Sequence, residues 1–124
     1  MLADSDAMAT IAVKDLEAAK KFYGEKIGLK GVGDQKGVLT FKSGNSKITV
    51  YVSQYAGTNK ATVATWVVPD AEAEVKALKA KGLSFEHYDN LPGLTRKGDL
   101  HIAGSFKGAW LKDPDGNILH ILSM

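Results

Sequence analysis

The stretch KDPDGNILHILS, residues 112–123, decides the fold, because it joins a tight turn to a short apolar strand. Residues 113–116, DPDG, fit a type I turn. The first Asp can accept backbone hydrogen bonds, Pro fixes φ at the second position, and Gly relieves the closing position. The pattern predicts a hairpin in which residues 109–112 form the first strand and residues 117–122 form the second.

The second strand of this hairpin carries one histidine, His120, among apolar residues. Because side chains alternate along a strand, Ile118, His120 and Leu122 share one face, and Leu119 and Ile121 share the other. An imidazole among apolar side chains needs polar partners whether its role is structural or functional. His120 is therefore the first candidate for a functional residue.

Composition is that of an ordinary globular protein. A chain of 124 residues, 44% hydrophobic and 24% charged, can bury a core as a single domain without a metal or a disulfide. A net charge of +2 is too small and too scattered for a nucleic-acid surface, and the lack of cysteine excludes disulfides and thiolate chemistry. The acidic N-terminus and the lack of a long apolar run predict a cytoplasmic protein that binds no membrane.

The first half of the chain predicts a strand, a helix and three further strands. Residues 8–13 form the first strand, and Asp15 caps a helix that ends at Gly28. The three strands that follow are predicted at residues 30–33, 38–42 and 47–53.

The second half repeats this pattern. A β-branched strand at residues 62–68 precedes Asp70, which caps a helix that ends at Gly82. VKDLEA at Val13 matches VPDAEA at Val68, and GVLTFKSGNSKITV matches GAWLKDPDGNILHI. We therefore predict an α+β fold for residues 1–124 as one domain, built of two βαβββ repeats at about residues 7–56 and 61–124. Each repeat needs its twin to cover its sheet, which predicts a mixed sheet pair with the helices outside and a shared cleft inside.

The strand-Asp-Leu-Glu-helix-FY-GL opening, the second helix ending in AKG, and the DPDGN hairpin together resemble the vicinal oxygen chelate superfamily. Glyoxalase I, extradiol dioxygenases, fosfomycin-resistance enzymes and bleomycin-binding proteins belong to this superfamily. The resemblance covers nearly the whole chain and implies the paired βαβββ fold and a homodimer. It does not select an activity, because the superfamily supports several chemistries on one scaffold.

The resemblance also implies where a metal would be bound. Metal-dependent members take one ligand from the first strand and one from the last strand of each half, which here gives Met8, Thr49, Val63 and His120. Only His120 is a suitable ligand, since a thioether, a threonine hydroxyl and a valine cannot replace carboxylates or imidazoles. We therefore predict no metal and no other cofactor. His87, Asp89, Asp99 and His101 are further possible donors, and we interpret them as polar surface groups of a loop.

Strand alternation predicts which side chains face the cleft. The predicted ligand-binding residues combine apolar groups, hydroxyls and one imidazole, a mixture suited to an uncharged or aromatic small molecule. They are Met8, Thr49, Tyr51, Val63, Thr65 and His120. Trp110 is added because it lies on the strand that enters the DPDG turn, and Arg96 because it is the only arginine and lies in a long loop.

Three of these residues have open alternatives. His120 either contacts a ligand or packs between the sheets with a hydrogen bond to Thr49 or Tyr51. Trp110 either covers one end of the pocket or fills the core. Arg96, the only arginine, lies in the long loop of residues 88–100, where it either grips an anion or is simply exposed.

Three functions are compatible with this pattern. The first is a metal-independent protein that binds a small, partly apolar molecule, similar to the bleomycin-resistance branch. The second is a lyase, isomerase or dioxygenase of the glyoxalase type, with His120 as a general base or lone metal ligand. The third is a dimeric regulatory or scaffolding module whose cleft is filled. The sequence favours the first, because the scaffold is intact and the metal ligands are missing.

Overall fold

The computed structural model describes all 124 residues and contains two β-sheets and two α-helices. The strands are β1 (Ala9–Val13), β2 (Lys30–Gln35), β3 (Val38–Ser43), β4 (Ser46–Val52), β5 (Thr62–Val67), β6 (Thr95–Lys97), β7 (Leu100–Ala103), β8 (Phe106–Lys112) and β9 (Ile118–Ser123). The helices are α1 (Leu16–Ala19), which continues as a π-helix at Lys20–Lys26, and α2 (Ala71–Ala80). No helix is long and apolar enough to cross a membrane.

The chain divides into two compact units. The first consists of Met1–Val63 with Asp113–Asn117, and the second of Ala64–Lys112 with Ile118–Met124. The turn at Asp113–Asn117 therefore groups with the first unit, although the strands on either side of it belong to the second.

The sheet of the first unit has the strand order β1-β4-β3-β2, in which β1 runs parallel to β4 and the other pairs are antiparallel. One face of this sheet is buried, with Ile11 of β1 and Val50 of β4 directly opposite each other and almost inaccessible. The helical segment begins at Asp15, whose carboxylate accepts hydrogen bonds from the backbone N–H groups of Glu17 and Ala18. The N-cap, the helical segment and the four strands predicted for the first half are confirmed.

The sheet of the second unit has five strands in the order β5-β9-β8-β7-β6. Asp70 caps α2 by accepting a hydrogen bond from the N–H of Ala73, and Val75 and Leu78 of α2 are buried. The prediction of a long loop at residues 88–100 is wrong in part, because Thr95–Lys97 pairs with Leu100–Ala103 as a short hairpin. A three-residue strand has too little alternation to be recognised by sequence pattern. The two sheets with their helices confirm the predicted α+β fold of paired βαβββ modules.

The DPDG turn is confirmed, and its first residue is buried. Gly116 N–H donates to the carbonyl of Asp113 at 3.0 Å, and Gly116 has φ 92°, the left-handed conformation that glycine tolerates. Asp113 is only 4% exposed. It accepts hydrogen bonds from the N–H groups of Asp115 and Asn117 and from the side-chain amide of Asn117.

A fourth hydrogen bond fastens this turn to the helical segment of the first unit. The Tyr23 hydroxyl donates to Asp113 Oδ2 at 2.7 Å, and Tyr23 is fully buried. Burial, and next the negative charge of Asp113, raise the pKa of the Tyr23 hydroxyl far above its usual range, so Tyr23 remains a donor. The Asn117 amide also donates to the Ala12 carbonyl at 2.7 Å, which ties the same turn to β1.

We expect Asp113→Ala to lower the free energy of unfolding by about 2–4 kcal/mol, because it leaves Tyr23 and Asn117 without their buried acceptor. Asp115→Ala is the matched control in the same turn. Asp115 accepts only an exposed hydrogen bond from the N–H of Lys14, so its loss costs less than about 1 kcal/mol. Urea denaturation followed by circular dichroism measures both values, and equal losses would contradict this assignment.

Candidate functional site

One face of the second sheet packs against α2, and the opposite face carries aromatic side chains. Leu111 and Leu119 lie opposite each other on the α2 side and are fully buried. Strand alternation places Trp110 and His120 on the other face, where they also form a directly opposed pair. The residues of this aromatic face are Tyr88, Arg96, His101, Phe106, Gly108, Trp110 and His120.

The centre of the aromatic face is a stack of two rings. The Trp110 and His120 rings are parallel within 3°, with their centroids 4.1 Å apart. The edges of Tyr88 and His101 approach Trp110, with centroid distances of 5.6 and 4.8 Å. Trp110, His120 and Tyr88 are each only half-buried, so the stack offers apolar surface to solvent. Trp110 is half-buried and does not belong to the fully buried core, and its role in covering one end of a pocket stays a prediction.

His101 lies beside Trp110 and Tyr88 and is held by two hydrogen bonds. It is fully buried, its Nε2 accepts a hydrogen bond from the backbone N–H of Tyr88 at 3.0 Å, and its Nδ1 bonds to the carbonyl of Gly108 at 3.2 Å. Since a backbone N–H can only donate and a carbonyl can only accept, the proton of the ring is on Nδ1. His101 therefore has a fixed tautomer and fixes the position of Tyr88.

The sequence did not identify His101 or Tyr88 as part of a site. His101 was interpreted as a surface group, and this is wrong because the ring is fully buried beneath Tyr88 and Trp110. The only sequence signal was a histidine that alternates with apolar residues at 100–103, as His120 does in its own strand. Its position opposite Gly108 depends on strand register.

His120 has one nitrogen that no protein group satisfies. Its Nε2 is buried and has no hydrogen-bond partner, so this nitrogen does not bond to Thr49 or Tyr51 as one prediction required. A Cβ on Gly108 would lie 2.9 Å from that nitrogen and 3.0 Å from the Phe106 ring. Burial lowers the pKa of His120, which favours the neutral imidazole at pH 7. A neutral ring stacks on Trp110 without the cost of burying a charge.

Three of the predicted ligand-binding residues share the aromatic face. Trp110 and His120 form its stack, and Arg96 lies opposite His101 in the β6–β7 pair. The Arg96 guanidinium already donates to Asp89 at 2.7 Å and to the carbonyl of Gly98 at 2.9 Å. A ligand carboxylate would have to compete with Asp89 for it.

The other predicted residues belong to β4, to β5 and to the segment before β1. Thr49 and Tyr51 are on the face of β4 opposite to the buried Ile48 and Val50. Met8 precedes β1 and is 50% exposed. On β5, Val63 is half-buried and Thr65 is exposed.

The donor groups do not fit the metal site that the fold implies. No three His, Asp or Glu side chains come together in a way that could hold a metal ion. The possible donors of the second unit instead form separate pairs, since His87 and Lys79 bond to Asp99 at 2.8 and 2.7 Å while Asp89 bonds to Arg96. The hydrogen bonds from Lys79 and then His87 lower the pKa of the Asp99 carboxyl.

Residues 7–121 match the family model described as Glyoxalase/Bleomycin resistance protein/Dioxygenase superfamily. The chain belongs to this superfamily. The match extends over both sheets, as the sequence resemblance predicted. No protein with a curated description matches the chain in sequence.

Solved structures of other superfamily proteins share the fold. The antibiotic-binding protein TnmS3 from Streptomyces sp. CB03234 is 20% identical, with a TM-score of 0.66 and 97% of each chain covered. Lactoylglutathione lyase from Agrobacterium tumefaciens is 18% identical, with a TM-score of 0.70, 97% of this chain and 93% of that chain covered. The fosfomycin resistance protein FosX from Listeria monocytogenes is 11% identical, with a TM-score of 0.73, 98% of this chain and 93% of that chain covered. At these identities the likeness concerns the fold.

We expect Gly108→Ala to lower the free energy of unfolding by about 1–3 kcal/mol, because the added methyl overlaps the His120 and Phe106 rings. Gly31→Ala is the control, since a Cβ on Gly31 would meet nothing within 4 Å. Its stability should be unchanged or higher by up to about 1 kcal/mol. Denaturant titration compares the variants, and near-ultraviolet circular dichroism should change for Gly108→Ala alone. A fully stable Gly108→Ala with an unaltered spectrum would contradict the close packing.

The lowered pKa of His120 predicts a pH dependence of stability. Between the ordinary value of 6.5 and the lower folded pKa, the unfolded chain binds a proton at His120 that the folded chain does not. The contribution of His120 is therefore present above pH 6.5 and is lost as the pH falls below it. The imidazole NMR titration of His120 should have a midpoint below 6.5. The loss of unfolding free energy from pH 7 to pH 5 should be smaller in His120→Phe than in the parent, whereas His87→Gln should leave the contribution of His120 in place.

Proposed function

We propose that this superfamily member is a metal-independent binding protein for a small, planar and largely apolar molecule. The single observation that supports the proposal most is the half-exposed stack of Trp110 on His120, bordered by Tyr88. Stacked and edge-on aromatic rings favour a flat ligand that can extend the stack. The proposed role of His120 is to support Trp110 and contact the ligand.

The charges near the aromatic face support an uncharged ligand. Arg96 is paired with Asp89 at 2.7 Å, and Lys112 is paired with Glu86 at 3.2 Å. Each cation thus has a carboxylate beside it, and His120 itself favours the neutral form. A charged ligand would have to displace one of these partners, whereas an apolar ring would displace only water.

The remaining predicted contacts stay part of this proposal. Met8, Thr49, Tyr51, Val63, Thr65 and Arg96 supply hydroxyls, apolar groups and one guanidinium that can orient a ligand by a few polar contacts. The donor chemistry of Met8, Thr49 and Val63 supports metal independence, because these groups do not replace carboxylates or imidazoles. The homodimer and cytoplasmic location that the superfamily resemblance implies are also proposed for this chain.

TnmS3 is described as an antibiotic-binding protein, and its similar fold supports the proposal of a small-molecule ligand for this chain. Lactoylglutathione lyase and the fosfomycin resistance protein have a similar fold. A binding function requires only a shaped apolar surface, whereas an enzyme also requires reactive groups in reach of a substrate. That requirement separates the two candidate functions.

The alternative is a glyoxalase-type enzyme that uses His120 as a general base, and the lowered pKa of His120 favours it. The position of Nε2 opposes it. This nitrogen is buried against Gly108 and Phe106, so it could meet a substrate proton only after the ring turned away from Trp110. The stacked geometry therefore supports a packing and binding role more than proton transfer.

A thermal-shift screen tests the proposal. The probes are planar aromatic antibiotics, keto acids and thiol adducts, each measured with EDTA and with added divalent metal. We expect a planar aromatic compound to raise the melting temperature equally in both conditions, because it binds only the folded chain. In a Trp66→Phe variant, whose only tryptophan is Trp110, the same compound should quench the fluorescence.

Two variants decide whether the aromatic face is the binding site. Trp110→Ala should weaken binding of that compound by about tenfold or more, because it removes the stacking surface. Trp66→Phe should leave the affinity unchanged. Stabilisation or turnover that requires metal would contradict the proposal, and an unchanged affinity in Trp110→Ala would move the site elsewhere.

A further inference from the structure

Strand β2, Lys30–Gln35, forms an open edge of the first sheet. It pairs with β3 on one side and with no strand on the other. All six of its residues are exposed, and none of them is a proline. The backbone N–H and C=O groups on its free side therefore have no partner strand. Such an edge is the kind to which an extended chain can add as a further strand.

A β-bulge at Val32 decides which residues of β2 face the helical segment. Gly31 lies directly opposite Phe41, and Asp34 lies directly opposite Leu39. Phe41 and Leu39 are 4% and 2% exposed and belong to the core on the side of the sheet where the helical segment packs. Since directly opposed residues project to the same side of a sheet, Gly31 and Asp34 both face that side.

A groove lies between β2 and the helical segment. It has a volume of about 440 Å³, and its walls include Lys20, Gly31, Val32, Asp34, Leu39 and Phe41. Gly31 leaves part of the groove empty, because a Cβ at this position would meet nothing within 4 Å. The groove can therefore take one large apolar side chain beside the Phe41 ring.

An ion pair connects the helical segment to β2 along this groove. The Lys20 ammonium binds the Asp34 carboxylate at 2.9 Å and the Glu17 carboxylate at 3.4 Å. The hydrogen bond to Asp34 is the largest cause of the raised pKa of Lys20. Asp34 is the only acidic residue of β2, and its charge is thus already compensated within the chain.

The remaining charges at this edge favour an acidic partner. Lys30 begins β2, Lys36 follows its last residue, and Lys42 lies directly opposite Lys30. None of these three lysines forms an ion pair within the chain. Both ends of the edge therefore carry uncompensated positive charge, which is complementary to carboxylates on a partner.

We propose that β2 binds an extended acidic peptide segment of another protein, which adds to the four-stranded sheet as a fifth strand. Backbone hydrogen bonds to the free edge hold the segment, and a central aromatic side chain enters the groove over Gly31 and Phe41. Acidic residues on either side of it face Lys30 and Lys36. The bulge increases the twist of the edge, so the added strand is short.

The proposal explains the glycine at position 31. Glycine in the interior of a strand is unfavourable for stability, and the space around Gly31 would accept a side chain. Glycine in a strand often marks a place where another backbone or a ligand approaches closely. At Gly31 the missing side chain leaves the groove open to the partner.

This peptide site is independent of the proposed small-molecule function. It uses the edge of the first sheet and the side on which the helical segment packs, whereas the aromatic face belongs to the second unit. Trp110→Ala should therefore bind the peptide as the parent does.

The heptapeptide EVTFTVE with blocked ends is the probe, because it reads the same in both directions and fits either strand orientation. Its phenylalanine and valines share one face of an extended chain, and its glutamates share the other. At about 1 mM peptide, the amide NMR signals of β2 should shift, and hydrogen exchange of these amides should slow severalfold. A peptide with glycine in place of phenylalanine should bind about tenfold more weakly or less.

Gly31→Val should weaken the peptide by about tenfold or more, because the valine side chain occupies the groove. It should melt at the parent temperature or up to about 4 °C higher, since valine favours a strand. Gly33→Ala is the matched control on the same strand. Gly33 lies opposite Thr40 on the other face, and its added Cβ would be 3.4 Å from the Thr40 Cβ, so binding should be unchanged.

A second pair of variants tests the charge complementarity. Lys30→Gln should weaken the peptide by about threefold, and added salt should reduce the difference from the parent. Lys76→Gln on the exposed side of α2 is the control and should bind as the parent does.

The proposal is overturned if the β2 signals do not shift at about 1 mM peptide. Equal affinity of the parent and of a stable Gly31→Val would overturn it as well, because the groove would then play no part. A third contrary result is protection of the β2 amides in the free protein that is lost on dilution, since a second copy of the chain would then occupy the edge.

Discussion

The buried carboxylate of Asp113 is the constraint on which the first unit depends. The carboxylate of a residue that is 4% exposed needs hydrogen-bond donors, and Asp113 has them from two backbone groups of its own turn, from Asn117 and from Tyr23. The donors come from separate parts of the chain, because Tyr23 belongs to the helical segment and Asn117 also holds the Ala12 carbonyl of β1. The hydrogen bonds of this turn therefore connect it to the helical segment and to β1, and they also fix the conformation of the turn itself.

The aromatic face of the second unit depends on the close packing of aromatic rings against Gly108. Gly108 leaves space that a methyl group would fill, and the His120 and Phe106 rings occupy it. His101 bonds to the carbonyl of the same glycine and to the N–H of Tyr88. The stack of Trp110 on His120 is thus supported by packing and by a histidine with a fixed tautomer. Supported in this way, half-exposed aromatic side chains can keep a constant shape toward a ligand.

The outward faces of the two sheets differ in the charges that they carry. The aromatic face has its cations paired with carboxylates and a histidine whose pKa is lowered by burial. The outward face of the first sheet carries Lys30, Lys42 and Lys47 in directly opposed positions, and none of them forms an ion pair within the chain. The same fold therefore presents two surfaces with distinct chemistry, and the difference arises from which residues occupy the outward positions of each strand.

The sequence by itself determined the elements and the superfamily. Helix caps at Asp15 and Asp70, the DPDG turn and the internal repeat are local signals, because they depend on neighbours a few residues away. Alternation also made His120 a candidate. The tertiary structure alone decided that His101 lies beneath Trp110, that Arg96 is held by Asp89, and that three lysines align in a row. These features depend on strand register, and register joins residues far apart in the chain that no local pattern can align.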